Sequence, residues 1–255
     1  SSKAIQLKNI DLVISTSTPL TVGVPALLLK LFKSVPYIFE VRDLWPEVPI
    51  QLKAIQNRIL IKLIVSFEKY IYKKASHIIT LSPGMKSGLI QKGIRQDKVS
   101  LIPNMAKIDV FYPREINLEL LEKLRLSEHT FKIIHFGSLG IANGAQSIIE
   151  AARLFKSEVN VEFIFVGSGA AKNDLVKLCE TYEINNVRFL GAHSLAITSE
   201  IVNLCDVSIV SFLDIPILYT NSPNKFFDSL SAGKPIIVNS NGWTRQIVEQ
   251  YGCGK

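Results

Sequence analysis

A lysine and an aspartate three residues apart are a pair of side chains that could bind an anionic ligand. Lys225 and Asp228 lie in a stretch that predicts a loop, a short helix and then a buried strand. Residues at this spacing share a helix face, and the start of a helix attracts negative charge. The alternative is a solvent-exposed ion pair, which is the commoner role of such a pair on an arbitrary helix.

The residues before this pair predict how the helix begins. Asn221 or Ser222 can cap it, and Pro223 suits its first turn because no backbone donor is needed there. Phe226 contributes to the apolar face of the helix. The helix is predicted to end at Ala232 and the following glycine.

A second chemically informative stretch is Arg42–Glu47, directly after a predicted strand. Asp43 could orient a hydroxyl group or pair with Arg42, and Trp45 offers a flat face that suits a sugar or a lipid. The alternative is that Trp45 packs and the charged pair is structural. The residues alone do not favour one interpretation over the other.

Glycines follow two strands that are predicted in the second half of the chain. One group is Gly137, Gly140 and Gly144, and the other is Gly167 and Gly169. A glycine-rich turn between a strand and a helix lets backbone amides approach a phosphate. The spacing matches neither the dinucleotide fingerprint nor a P-loop, so the motif is only suggestive of a phosphate site.

The elements that must position these residues are apolar strands that alternate with helices. That alternation predicts parallel sheets, in which ligands bind beyond the carboxyl ends of the strands. We predict an α/β protein with two Rossmann-like doubly wound domains that face a cleft. The predicted N-terminal domain covers residues 1–112 and is incomplete, a linker covers 113–130, and the C-terminal domain covers 131–255. We expect residues to be missing at both ends of the chain.

The sequence also predicts a long basic helix from Lys53 to Lys74. Its apolar stripe contains Ile55, Ile59, Leu63 and Phe67. We interpret the stripe as the core-facing side of a domain helix, and contact with an anionic membrane is the alternative.

Composition limits the class of protein. Of 255 residues, 47% are hydrophobic and 20% are charged, as in globular α/β proteins. No apolar run has membrane-spanning length, and the opening is not a signal peptide. The net charge of +7 suggests an anionic partner, but the basic residues are too dispersed to predict nucleic-acid binding. Three cysteines without metal spacing predict reduced thiols in a cytoplasmic protein.

No metal site or cofactor is expected. The four histidines are too scattered for a metal site or a catalytic triad, and no Asp-x-Asp pair is present to hold a divalent ion. If a diphosphate binds, backbone amides, helix ends and Lys225 must balance its charge.

Taken in order, these motifs resemble a GT-B-fold retaining glycosyltransferase of family 4, of the type that builds bacterial capsule, O-antigen or exopolysaccharide. The resemblance covers essentially the whole chain. The motifs are Phe39–Glu47, Ile102–Asn104 with Asp109 and Phe111, Gly137–Gly144, Val166–Gly169, and Ser222–Asp228 with Ala232–Pro235.

The resemblance implies a nucleotide-sugar donor, such as a UDP-linked N-acetylhexosamine, on the second domain, without a metal. It implies that Asp228 binds the ribose. Many members of the family bind the diphosphate with an arginine and a lysine in the glycine loop, where this chain has Ser138 and Asn143, so Lys225 is the remaining candidate for the phosphates. Thr220 replaces an acidic residue that the family usually places near the sugar, and Asn221 or Ser222 is a possible substitute. The full set of implied donor contacts is Gly137, Ser138, Gly140, Asn143, Gly144, Gly167, Gly169, Asn221, Ser222, Lys225, Phe226 and Asp228.

The resemblance further implies a lipid-linked or saccharide acceptor on the first domain. Asp43 is then the candidate catalytic residue, with Arg42 and Trp45 on the acceptor side. A lipid-linked acceptor would suit a peripheral position on the inner face of the bacterial plasma membrane.

Two other functions remain open at this stage. A nucleotide-sugar epimerase of the same architecture would need several carboxylates and a histidine at the cleft, and the strand ends supply few. A non-catalytic nucleotide-sugar binder would explain Thr220, Ser138 and Asn143 as marks of lost catalysis.

Overall fold

The computed structural model describes Gln6, residues 8–157 and residues 160–255. The chain divides into two compact units, each built on its own parallel sheet. Unit 1 extends to Pro103 and also includes Ile215–Ser222. Unit 2 comprises Asn104–Asp214 and Pro223–Lys255.

Unit 1 has a four-stranded parallel sheet in the order β1-β2-β3-β4, with helices between successive strands. In chain order the elements are β1 (Val13–Thr16), α1 (Gly23–Lys33), β2 (Tyr37–Val41), α2 (Glu47–Gln51), α3 (Arg58–Lys74), β3 (His77–Thr80), α4 (Pro83–Gln91) and β4 (Val99–Leu101). Short 3₁₀ turns cover Leu20–Val22, Gln96–Lys98 and Pro216–Thr220.

The core of unit 1 forms around β2. Tyr37, Phe39 and Val41 alternate along this strand and are fully buried, as a strand with a core-facing side requires. Ile71 and Tyr72 of α3 pack against them. The carboxyl end of β2 therefore delivers residues 42–45 to a fixed place at the end of the sheet.

Helix α3 differs from the prediction in both its start and its orientation. It begins at Arg58 because the Asn57 side chain accepts hydrogen bonds from the amides of Ile59 and Leu60 and caps it. Ile59 and Leu63 were expected in the core but are 73% and 63% exposed. The helix has a second apolar face, which contains Ile71 and Tyr72 and is the one that packs on the sheet.

Unit 2 has a five-stranded parallel sheet in the order β7-β6-β5-β8-β9. Its elements are α5 (Leu118–Lys123), β5 (Phe131–Phe136), α6 (Gln146–Leu154), β6 (Val161–Val166), α7 (Lys172–Thr181), β7 (Val187–Gly191), α8 (Leu195–Asn203), β8 (Val207–Val210), α9 (Asn224–Ser231), β9 (Ile236–Val238) and α10 (Trp243–Tyr251). A 3₁₀ turn covers Ile141–Asn143.

The strand order of unit 2 reverses beside β5. The chain moves outward from β5 to β6 and β7, and then returns to place β8 on the other side of β5. In open parallel sheets, ligands bind beyond the carboxyl ends of the strands at such a reversal. The segments after β5, β6 and β8 are therefore the first place to look for a site.

The division into units differs from the predicted domain boundary. Phe111 was assigned to the N-terminal domain, but it is fully buried against Phe136 in the core of unit 2. Leu121 and Leu126, in the predicted linker, belong to the same core. The sequence around Pro103 and Pro113 lacks strand signals, so it gave no indication that these apolar residues pack into the core of unit 2.

Two parallel α/β units confirm the predicted fold class. Among the helices that the structure describes, none is both long enough and apolar enough to cross a membrane.

Candidate functional site

A cavity of about 520 Å³ opens at the carboxyl-terminal edge of the unit 2 sheet. It is bordered by the ends of β5, β6 and β7, by the start of α8, by residues of the 104–111 segment and by α9. Five predicted donor contacts line it: Gly137, Ser138, Gly167, Lys225 and Asp228. The other lining residues are Lys107, Phe111, Phe136, Val166, Ser168, Ala192, His193, Leu195, Thr198 and Asn224.

Helix α9 brings Lys225 and Asp228 to this cavity. The predicted caps, Asn221 and Ser222, do not cap the helix; Pro223 occupies the N-cap position, and no side chain caps it. The first backbone amides of α9 are therefore not used by a capping side chain, and Asn224 and Lys225 at this start both border the cavity.

Lys225 is not part of an ion pair with Asp228. Within the described residues, no carboxylate lies within ion-pair distance of its amine. Its Nζ lies instead 3.2 Å from Nε2 of His135, which is buried on β5. Burial lowers the pKa of Lys225 to about 7. The structure thus excludes the surface ion pair that the spacing alone favoured.

His135 is a neutral partner for this amine. Burial, and then the nearby charge of Lys225, lower the pKa of the imidazole to about 3. A neutral ring can accept a hydrogen bond at Nε2 when Nδ1 carries the proton. The ring also lies against Phe165, with centroids 5.7 Å apart, so its orientation is fixed by packing.

Asp228 is also buried and borders the same cavity. Its Oδ1 accepts a hydrogen bond from the backbone amide of Lys107 at 3.1 Å. Burial raises the pKa of this carboxyl, and the hydrogen bond from Lys107 opposes that shift. In the part of the chain that the structure describes, Oδ2 of Asp228 makes no hydrogen bond. One carboxylate oxygen is therefore available to a ligand.

The glycine-rich turn after β5 does not act as a single phosphate loop. Gly137 and Ser138 border the cavity, but Gly140 and Gly144 border a different one that faces α6 and α7. A methyl group on Gly144 would come within 2.6 Å of the Leu213 nitrogen, and Gly144 has a φ of +57°. Close backbone packing explains this glycine.

Asn143 and Gly169 likewise have structural surroundings. The Asn143 side chain donates to the Ser138 carbonyl at 2.8 Å, and the backbone carbonyl of Asn143 accepts from the Ser211 hydroxyl. A methyl group on Gly169 would lie 2.5 Å from the Leu139 backbone. These residues fix the turn whose first part, Gly137–Ser138, reaches the cavity.

Gly167 combines both roles, because it borders the cavity and also packs closely. A methyl group there would come within van der Waals overlap of the Gly137 carbonyl oxygen. The ends of β5 and β6 therefore meet backbone against backbone, which leaves room for a ligand directly above them.

The three predicted contacts that remain are Phe226, Asn221 and Ser222, of which Phe226 belongs to the same unit as the cavity. Phe226 is fully buried and packs edge-on against Phe227 on the opposite side of α9 from the cavity lining. Asn221 and Ser222 belong to unit 1. The neighbouring Thr220 donates its hydroxyl to the Ile217 carbonyl, and its own carbonyl accepts from Ser82.

The predicted acceptor-side residues follow β2 in unit 1. Asp43 is half-buried, and its Oδ2 accepts a hydrogen bond from the Thr18 hydroxyl at 3.0 Å. Burial raises the pKa of this carboxyl, and the Thr18 hydrogen bond and the Arg42 charge oppose the shift. Arg42 is exposed, and Trp45 packs against the edge of the core. Trp45 is therefore at least partly structural.

Unit 1 also contains a buried ion cluster that the sequence did not indicate. Lys92 Nζ lies 2.5 Å from carboxylate oxygens of both Glu47 and Glu68. Glu68 is fully buried on α3, and burial raises the pKa of its carboxyl to about 7, although the Lys92 charge opposes this. The cluster joins α2, α3 and the end of α4.

Several residues that line the cavity or contact its lining were missed at the sequence level. His135 lies inside an apolar strand, so its neighbour on α9 cannot be read from spacing. Lys107 belongs to the segment interpreted as leading into a linker. Thr198 and His193 border the cavity from α8 and the turn before it. A search for polar residues after every predicted strand would have found His193 and Ser168, but not His135.

Comparison with known proteins decides the family. Residues 117–255 match the model described as glycosyl transferases group 1, and residues 2–105 match the glycosyl transferase 4-like domain. The chain belongs to the glycosyl transferases group 1 family. The two matched regions correspond closely to the main segments of the two units.

Relatives of this chain agree with the family assignment. Over 198 residues the chain is 23% identical to WcaI of Escherichia coli strain K12, whose name refers to glycosyl transfer in colanic acid biosynthesis. That alignment covers 74% of this chain and 47% of WcaI, so the chain spans about half the length of this curated relative.

Solved structures show the same fold. Sucrose-phosphate synthase from Thermosynechococcus elongatus matches with a TM-score of 0.77 at 17% identity, over 99% of this chain and 62% of that one. Anabaena HepE, in a structure described as a complex with UDP-glucose, matches with a TM-score of 0.72 at 20% identity, over 92% and 61%. Both likenesses extend across both units of the group 1 chain.

Proposed function

We propose that this chain carries the donor site and acceptor-side residues of a retaining glycosyltransferase. The donor is a nucleotide diphosphate sugar, a UDP-linked N-acetylhexosamine or a related sugar. The acceptor is a lipid-linked or saccharide acceptor in the synthesis of a surface polysaccharide.

The observation that carries the proposal is a cation at the end of a parallel sheet for which the described residues provide no carboxylate partner. Lys225 borders the cavity, and its amine lies 3.2 Å from the neutral His135 ring. An amine in that position, together with the backbone amides at the start of α9, suits the two charges of a diphosphate. When the sugar leaves, the same groups stabilise the departing nucleotide diphosphate.

Asp228 is proposed to hold the ribose. It lies one helical turn from Lys225, its Oδ1 is fixed by the Lys107 amide, and its Oδ2 can accept from ribose hydroxyls. Hydrogen bonds to a carboxylate are among the stronger ones, and a fixed carboxylate gives them direction. The relatives support a nucleotide-sugar donor, since HepE is described as binding UDP-glucose and WcaI is named for glycosyl transfer.

Asp43 is proposed to act on the acceptor hydroxyl, as the residue that orients it or accepts its proton. The Thr18 hydroxyl fixes one carboxylate oxygen, and burial raises the pKa toward the range in which a carboxylate can take up a proton. In retention through a same-face route, the leaving phosphate shares this task, so no carboxylate nucleophile is required.

A lipid-linked acceptor fits the exposed side of α3. Ile59, Leu60 and Leu63 are exposed there, and the helix's exposed charged residues are all basic: Arg58, Lys62, Lys69, Lys73 and Lys74. The one acidic residue of the helix, Glu68, is buried. An apolar strip flanked by basic side chains suits the surface of an anionic membrane.

The donor assignment is tested with the protein in its natural length, a panel of UDP-sugars and a lipid-diphosphate-sugar acceptor. We expect a glycosidic product with at least one donor, and binding to UDP that falls roughly 10- to 100-fold in Asp228→Ala, because charged hydrogen bonds are lost. Asp174→Ala, an exposed aspartate on α7, is the matched control and should bind normally. Unchanged UDP affinity in Asp228→Ala would contradict the site.

Catalysis is tested separately through Asp43. Asp43→Asn should lower kcat by roughly 10²- to 10⁴-fold while the donor dissociation constant stays the same, since general base catalysis is worth that much. Binding without any glycosidic product across the panel would instead favour a non-catalytic nucleotide-sugar binder.

Membrane contact is tested by flotation with vesicles that contain phosphatidylglycerol or only phosphatidylcholine. We expect binding to the anionic vesicles and its loss in Ile59→Ser/Leu63→Ser. Leu154→Ser, at an apolar side chain that is 82% exposed on α6, is the control. Equal binding by the double variant and the control would contradict the role of α3.

A further inference from the structure

The Lys225–His135 pair joins helix α9 to strand β5 next to the cavity. The two side chains lie on different elements, α9 and β5, and meet at 3.2 Å beneath the cavity. Helix α9 is fixed against the sheet at the same level: the Ser229 hydroxyl lies 2.7 Å from that of Ser208 on β8 and donates to the Lys225 carbonyl. The pair is therefore held between α9 and the sheet of unit 2, with His135 buried and Lys225 half-buried at the cavity.

The side chain of Lys225 passes over the end of β5 toward the ligand space. A methyl group built on Gly137 would lie 3.6 Å from Cε of Lys225 and 3.9 Å from its Nζ. Gly137 adopts a φ of +100°, which favours glycine at this position beside the amine. His135, 1% exposed, holds the amine from below.

The charged groups around this amine do not neutralise it. Asp228 on the same helix is held by the Lys107 amide, and Lys107 itself adds positive charge from the 104–111 segment. His193 reaches the cavity from the turn after β7, and its ring contacts the Leu190 carbonyl. No carboxylate from these elements pairs with Lys225 within the described ranges.

We propose that His135 and Lys225 form a proton-responsive anion receptor, in which His135 positions the amine and Lys225 takes up one proton from solvent when a diphosphate enters the cavity. His135 remains neutral and accepts the hydrogen bond in both states, so it is a positioning residue. No other bond forms or breaks. This inference rests on the proposed function, because it requires a nucleotide diphosphate in this cavity.

The direction of the pH effect follows from the free state. Burial lowers the pKa of the free Lys225 amine to about 7, and a bound diphosphate raises it again. Above that value the competent, protonated fraction of the free protein falls about tenfold per pH unit, and the apparent affinity falls with it. Below it, Lys225 is already charged and its contribution is constant.

The test is calorimetric titration of the protein with UDP-glucose between pH 6 and 8.5, in buffers of different ionisation enthalpy. UDP-glucose is chosen because its phosphates stay fully ionised in this range, so any proton taken up belongs to the protein. We expect the dissociation constant to rise up to about tenfold per pH unit above pH 7, with uptake approaching one proton.

Lys225→Arg is the matched control, because arginine stays protonated. It should show no uptake and a nearly flat affinity profile. His135→Leu removes the acceptor and should weaken binding about tenfold at pH 7.5 and move the profile to lower pH. His135→Gln keeps an acceptor and should restore most of the affinity. If His135→Leu does not fold, the comparison of the wild type with Lys225→Arg and His135→Gln still decides the matter.

The outcomes separate this inference from the proposed function. UDP-glucose binding without proton uptake, or uptake that persists in Lys225→Arg, would overturn the receptor while leaving the donor site intact. Absence of binding at every pH, by UDP-glucose and by every other UDP-sugar of the donor panel, would overturn the proposed UDP-sugar donor, and this inference with it.

Discussion

Two enclosed lysines, one in each unit, are held in contrasting ways. Lys92 in unit 1 contacts two carboxylates, Glu47 and Glu68, so its charge is balanced inside the fold. Lys225 in unit 2 has a neutral imidazole as the polar partner of its amine within the described ranges, and it borders a cavity of about 520 Å³. The charge of the first lysine is balanced by the protein. Among the described residues the second has no carboxylate partner, and in the proposed function an incoming diphosphate balances its charge.

The difference shows how a structural charge can be told from a functional one. A buried ion is normally paired, because an unpaired charge in a protein interior is costly. Lys225 has hydrogen-bonding support from His135 but no carboxylate partner among the described residues, and the proposed function takes an anionic ligand as its counter-ion. The following predictions test that distinction, beginning with the largest effect.

Replacing the paired lysine should damage the fold and leave the site intact. Lys92→Met leaves the carboxylates of Glu47 and Glu68 together without a cation, so we expect a loss of about 3–5 kcal/mol in the free energy of unfolding. Urea unfolding measures this, and UDP affinity measured well below the transition should match the wild type. A stable Lys92→Met variant with weakened UDP binding would contradict the structural role assigned to Lys92.

The glycine behind the cavity should likewise affect stability alone. Gly144→Ala places a methyl group against the Leu213 backbone at a positive φ, so we expect a loss of about 2–4 kcal/mol. Gly93→Ala has a positive φ but open space around it, and should lose only about 1–2 kcal/mol. A selective loss of UDP affinity in a stable Gly144→Ala protein would restore the phosphate-loop interpretation.

Replacing Lys225 should have the opposite effect: it should weaken UDP binding and leave the fold intact. Lys225→Met should lower UDP affinity roughly 10- to 100-fold through the lost charged hydrogen bonds. Its free energy of unfolding should be unchanged or higher, because the enclosed amine has no counter-ion to lose. Calorimetry and urea unfolding together check this. Destabilisation as large as that of Lys92→Met would mean that Lys225 is structural as well.

The smallest effect concerns the pH dependence of unit 1. Since the Glu68 pKa is raised from 4.5 to about 7 in the folded protein, the folded state binds more protons than the unfolded state between these values. Stability from this group therefore falls as the pH rises through that window. Glu68→Gln should lack this decline, which for one group is at most about 1.4 kcal/mol per pH unit. Parallel stability curves for the two proteins would contradict the raised pKa.

Much of the fold could be predicted because the buried strands are continuous apolar runs in the sequence. Runs such as that of β6 are apolar on both faces, and this pattern is typical of a parallel sheet covered by helices. The placement of Lys225 and Asp228 on one helix face could also be predicted, from their spacing. Their contacts could not be predicted, because His135 and Lys107 are far away in sequence.

The errors have physical causes of the same kind. Helix α3 has two apolar faces, and periodicity could not decide that Ile71 rather than Ile59 packs on the sheet. Glycine spacing suggested a phosphate loop, but the backbone contacts at Gly144 and Gly169 depend on tertiary packing. The anchoring of Phe111 in unit 2 likewise depends on a partner, Phe136, that lies in another element.

A crystal structure of the protein with bound UDP would test the central claim most directly. The account predicts phosphate oxygens within hydrogen-bonding distance of Lys225 Nζ, and ribose hydroxyls on the Asp228 carboxylate. A nucleotide bound against Gly140–Gly144, with Lys225 still contacting His135 alone, would contradict it.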